Sequence, residues 1–169
     1  MKKILLSSVL ALAAAATVSA PAYAASGSTA TASGTAVANI VSAITLIHTP
    51  GTSLNFGTFD TGTGGSVVVT SAGAGSTTGD VAFVTGTTEA ADQFLVKGDT
   101  SRAFTISTAA GTVINGATSI PFTTTPSAAS STLSLLGVST FSVGGTLTLA
   151  GTEAAGLYNG SYNATVAYN

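Results

Sequence analysis

The chain has 169 residues, of which four are basic and six acidic, for a net charge of −2. It has one histidine and no cysteine. A lone histidine, no thiol and only scattered acids exclude a zinc site within one chain, and so few bases exclude the cationic face that nucleic acid requires.

Lys2 and Lys3 open the sequence, residues 4–18 are apolar and rich in Ala and Leu, and Ala22-Tyr23-Ala24 puts small residues where a signal peptidase reads. Residues 1–24 therefore read as a secretory signal peptide. Removing 24 of the 169 residues leaves 145, the size of one domain, in which Lys97 and Arg102 face six acids for a net charge of −4. No later segment is long and apolar enough to span a bilayer. The expectation is an exported chain without a membrane span after cleavage.

Residues 25–40 differ in character from the rest of the chain. Ala30, Ala32, Gly34, Ala36 and Ala38 alternate with Thr31, Ser33, Thr35, Val37 and Asn39. A period of two is the mark of a strand, here with a face of very small side chains. Alanines bury little area at about 25 cal/mol per Å², so this strand would not nucleate a core. It could slot into a groove formed by larger residues, or complete the sheet of its own domain. Composition alone also allows an Ala/Thr/Ser linker.

From residue 41 onward a single β domain is predicted, running to residue 169. Thirty threonines favour strand over helix. Short β-prone runs recur between Gly-rich turns, at residues 36–48, 53–59, 66–70, 80–85, 93–97, 102–108, 112–115, 119–124, 132–136, 139–149 and 157–169. This spacing predicts an all-β sandwich or barrel. Val67-Val68-Val69 reads as a strand covered on both faces. Gly144-Gly145 reads as a bend through which one strand serves two sheets. At the end Tyr162, Ala164, Val166 and Tyr168 share one face, with Asn163 and Thr165 on the other.

Catalytic constellations are missing from the sequence. No serine sits in a G-x-S-x-G turn, and His48, before Thr49-Pro50, reads as a strand-end residue. Asp60, Asp80 and Asp99 lie beside turn glycines, and no calcium loop is spelled. Two Asn-x-Ser/Thr sequons, at Asn159 and Asn163, read as chance in so Thr-rich a chain. No enzyme activity, cofactor or metal is expected.

Ser53-Leu54-Asn55-Phe56-Gly57-Thr58-Phe59 resembles the L-x-F-G strand near the start of bacterial fimbrial subunits. Residues 141–149, then Gly156-Leu157-Tyr158-Asn159-Gly160, then Val166-Ala167-Tyr168-Asn169, resemble their closing segment. The chain is similar to exported Gly/Thr-rich bacterial domains related to chaperone–usher pilins. That resemblance implies an immunoglobulin-like sandwich short of one strand, assembled into a surface filament by N-terminal strand donation. The donor would be Ala30, Ala32, Gly34, Ala36 and Ala38, and the acceptor groove Tyr162, Ala164, Val166 and Tyr168. The implied partners are copies of itself or related subunits, a periplasmic chaperone and an outer-membrane usher, with transit through the periplasm to the cell surface. The chain departs from many pilins in lacking a disulfide and in the small size of its donor residues. The competing expectation is a self-contained secreted adhesion or carbohydrate-binding module, with Tyr158 as its recognition residue.

Overall fold

The computed structural model describes residue 29 and residues 31–169. The expected signal peptide and Ala30 lie outside the described residues. Every regular element among them is a β-strand. The strands are β1 (Thr45–His48), β2 (Phe59–Asp60), β3 (Gly65–Val69), β4 (Gly75–Gly79), β5 (Ala82–Phe83), β6 (Asp92–Lys97) and β7 (Ala103–Thr108). They continue with β8 (Gly111–Asn115), β9 (Thr118–Pro126), β10 (Ser130–Thr132), β11 (Val138–Leu149), β12 (Asn159–Ser161) and β13 (Ala164–Tyr168). The chain is thus all-β and antiparallel, as the Thr-rich, Gly-punctuated sequence predicts, and its layering is that of a β-sandwich.

The larger sheet runs β1-β6-β11-β9-β8-β12, with β3 also on β11 and β4 on β3. β11 is its spine. Through Val138–Val143 it pairs with β6, and from Gly145 to Leu149 with β3, while β9 holds its other side. The glycine pair lies where β6 hands over to β3. A Cβ on Gly144 would meet the Val69 carbonyl, and one on Gly145 the Thr123 carbonyl. Bare backbone is needed there because neighbouring chains close in from both sides. The expected bend between two sheets is corrected: β11 stays in one sheet and changes partner.

Alternation builds the core in two clusters. On β6, β7 and β11 every second side chain is buried. Phe94, Val96, Phe104, Ile106, Leu133, Phe141 and Val143 form one cluster, which the smaller β10-β7-β13 sheet covers. Phe56, Val67, Val69, Val81, Ile120, Phe122, Leu147 and Leu149 form the other, flanked by Phe59 and Phe83 of the β2–β5 pair. Val68 is half-buried between its two buried neighbours, so β3 is covered more fully on one face than on the other.

Several boundaries differ from the sequence reading. Residues 36–44 are not strand, and residues 53–58 contribute only the bridge Asn55↔Ala90. The run 157–169 is two strands in different sheets, because the chain crosses layers at Tyr162-Asn163. Residues 133–137 turn rather than extend, leaving Leu135 and Leu136 in solvent. β4, Gly-Ser-Thr-Thr-Gly, has no counterpart in the sequence reading; it has no apolar residue and is held by its ladder to β3.

Candidate functional site

β13 carries the alternation predicted for it. Tyr162, Ala164, Val166 and Tyr168 point inward and pack on the β6/β7/β11 cluster, each half-buried, while Asn163, Thr165 and Ala167 are exposed. The register pairs Thr165 with Ser107 and Ala167 with Thr105. Ala109 N donates to Asn163 O at 2.9 Å, and Asn169 N to Ala103 O at 3.3 Å. Antiparallel alternation then commits residues 163, 165, 167 and 169 to the β7 ladder. It turns the N–H and C=O of Ala164, Val166 and Tyr168 to the opposite edge. No strand among the described residues pairs with that edge.

Across from this edge stands β1, itself the edge of the larger sheet, with Ile44 and Leu46 packed on the same cluster. A cleft of about 890 Å³ begins at His48, the last residue of β1, and at Tyr162, just before β13. Leu54, Phe56 and Phe59 line one side, Tyr158 and Tyr162 the other, and Phe122 and Leu147 line it from the core. Tyr158 is a wall residue rather than a free loop aromatic, since its hydroxyl donates to Ala154 O at 2.8 Å and its ring packs on the core.

The walls meet at one buried carboxylate. Asp92, 4% exposed, begins β6. Its Oδ1 accepts from His48 Nε2 at 2.7 Å, Thr52 Oγ1 at 2.9 Å and its neighbour Gln93 N at 2.9 Å. Its Oδ2 accepts the Tyr162 hydroxyl at 2.8 Å. An ionised carboxylate only accepts, so Nε2 carries the proton. Phe94 stacks edge-on against both the His48 and the Tyr162 rings, at centroid distances of 5.2 and 6.2 Å. One wall, the base and the other wall are therefore tied through a single side chain. A buried charge is tolerated only when it is satisfied in this way.

Burial, and then the Asp92 carboxylate, push the Tyr162 hydroxyl well above its ordinary range. The fold thus favours the protonated phenol. Its contribution to stability is whole below the free tyrosine value of about 10 and is lost as pH rises through the folded value. In an alkaline titration followed by ultraviolet absorbance, Tyr162 is expected to ionise last, together with unfolding. Tyr162→Phe should remove that late step.

The opposite end of β13 is clamped too. Tyr168 Oη accepts from Asp99 N at 2.6 Å and donates to Ser42 O at 2.9 Å, with the Arg102 guanidinium 5.1 Å above its ring. The acceptor residues predicted from sequence thus stand together on one edge. Of the predicted donor, Ala32, Gly34, Ala36 and Ala38 lie in residues 31–39, which are exposed and carry no regular secondary structure. Sequence reasoning gives Asp92 no role and makes His48 a strand end only. The pattern Asp92, Phe94, Val96 would have found the first, because alternation places that carboxylate on the buried face.

Among the described residues no three His, Asp or Glu side chains stand close enough to hold a metal ion, and no helix is long and apolar enough to cross a membrane. A family model described as "Domain of unknown function (DUF4402)" matches residues 44–168. No curated protein and no solved structure matches the chain.

Proposed function

The chain belongs to the DUF4402 family, whose matched region takes in both walls of the groove, and we propose that it is an exported structural subunit that accepts a β-strand from another copy. The single observation behind this reading is the free edge of β13. Ala164, Val166 and Tyr168 offer backbone donors and acceptors outward while their own side chains stay half-buried. Outward amides at every second residue are the complement of an extended chain, not of a compact ligand. Strand addition takes its affinity from such main-chain bonds and its specificity from alternate side-chain pockets. An edge left open in this way otherwise templates uncontrolled pairing.

The proposed donor is the N-terminal segment of a neighbour, residues 25–40, with Ala32, Gly34, Ala36 and Ala38 toward the narrow gap beside β13. Donation from one copy to the next gives an open filament rather than a closed dimer. The resemblance to chaperone–usher pilins adds a periplasmic chaperone, an outer-membrane usher and a place on the cell surface to this proposal. No catalytic role is proposed.

Removing residues 26–36 tests it. The truncated chain is expected to fold with unchanged unfolding midpoint and to sediment as a monomer, while the intact secreted chain forms ladders that survive mild denaturant. Ladders from the truncated chain would overturn strand donation. A stable monomer from the intact chain would favour the self-contained binding module.

A further inference from the structure

On the body of the domain, Ile40–Asn169, the large apolar side chains more than three-quarters exposed among the described residues are Ile40 (94%), Leu135 (83%), Leu136 (85%) and Leu157 (78%). They are not scattered. Leu135 and Leu136 form the turn that precedes β11. Ile40 precedes Ser42, which reaches that turn through Tyr168, Asp99 and the Gly98 N to Gly137 O bond of 2.9 Å. Leu157 lies at the other end, beside Ile114, which is 51% exposed and pairs with Asn159 of β12. β11, 12 residues long, separates the two ends by roughly 40 Å.

The upper leucines are held out rigidly. Ser134 N donates to Val138 O at 3.0 Å and Gly137 N to Ser134 O at 2.9 Å, and Ser134 Oγ accepts from Leu136 N at 3.2 Å and Val138 N at 3.3 Å. Gly137 sits at φ 71°, with the Gly98 carbonyl where a Cβ would stand. A turn closed this firmly presents its apolar tip in one shape.

Charge divides along the same axis. Lys97 and Arg102, the two basic residues among those described, both lie at the upper pole with Asp99. Asp60, Asp80 and Glu153 lie at the lower pole, around the end of β11: Gly62 meets Asp80, Gly64 meets Leu149, and Glu153 accepts from Ala150 N. A two-fold dimer joined end to end would set each pole against itself, apolar patch on the same patch and net charge on like net charge. A head-to-tail contact covers both apolar patches and pairs both signs, and unlike a side-by-side two-fold pair it repeats from copy to copy.

We infer that the two poles are the halves of one contact between successive copies, with Ile40, Leu135 and Leu136 of one copy seated against Ile114 and Leu157 of the next. The inference rests on the reading that copies of this chain associate, and it adds where their bodies touch. The proposed donor leaves each copy at Ile40, so it enters the neighbour's groove from the cleft end. Because the two signs pair across the contact, association should weaken as salt is raised.

The chain has no cysteine, so engineered pairs report cleanly. In the full chain, Leu136→Cys with Leu157→Cys, and separately Leu135→Cys with Ile114→Cys, are oxidised and run without reductant. At least one pair is expected to give a covalent ladder, and each single variant no more than dimers. In parallel, Leu135→Ser with Leu136→Ser should weaken association at least tenfold without shifting the unfolding midpoint. If copies associate but neither pair goes beyond dimers, the polar contact is overturned and strand donation stands. If the ladder persists after removal of residues 26–36, strand donation falls and the contact stands. No association at any salt concentration overturns both.

Discussion

Asp92→Ala is expected to destabilise the domain by about 2–4 kcal/mol, because it removes a carboxylate only 4% exposed that accepts four hydrogen bonds. The cost has several sources. His48, Thr52, the Gln93 amide and the Tyr162 hydroxyl all donate to this one carboxylate, and alanine leaves the half-buried Tyr162 hydroxyl, beside Phe94 and Phe122, without its acceptor. Each buried polar group left unpaired costs about 1–3 kcal/mol. Asp92→Asn keeps one accepting oxygen and should cost clearly less. Thermal or urea unfolding gives the order, with the alanine variant melting on the order of 10 °C lower than the parent. Equal losses for both substitutions, or a loss below about 1 kcal/mol for alanine, would show that the carboxylate does not tie the walls together.

Ala164→Pro and Thr165→Pro should part company, although the positions are adjacent. The Ala164 N–H faces the unpartnered edge, so proline there removes no bond from the β7 ladder and the monomer is expected to keep its stability to within about 1 kcal/mol. The same ring closes the edge to an incoming strand, and association should be abolished. The Thr165 N–H lies on the β7 side of the register. Proline there deletes a ladder bond and should cost about 1–3 kcal/mol in the monomer itself. Urea unfolding and sedimentation of the two variants read both effects. Ladders formed by the Ala164→Pro chain would sink the idea that this edge receives the strand.

Much of the architecture was legible because it is written in alternation. β7, β11 and β13 show their inward residues at every second position, and the structure buries or half-buries those side chains. β4 escaped because a strand without apolar residues leaves no pattern, only a ladder. The turn at residues 133–137 misled in the opposite sense. Residues 132–136 read as a β-prone run, yet the chain turns there and Leu135 and Leu136 point into water. The groove was half visible. Its β13 wall follows from periodicity, whereas Asp92 meets His48 and Tyr162 across 44 and 70 residues of sequence. No local spacing encodes a contact of that range. It depends on how β1 and β6 pair, and on the crossover that brings Tyr162 beneath them.

β11 runs from one pole to the other, with β6 along its first half and β3 along its second, and that direction has a mechanical consequence. A pull applied between the poles acts along β3, β6 and β11 rather than across them. The hydrogen bonds that join these strands would be loaded in shear, many at once, instead of being peeled open singly. Such a body should yield abruptly at high force under end-to-end stretching, yet open readily when pulled sideways through the β12 edge.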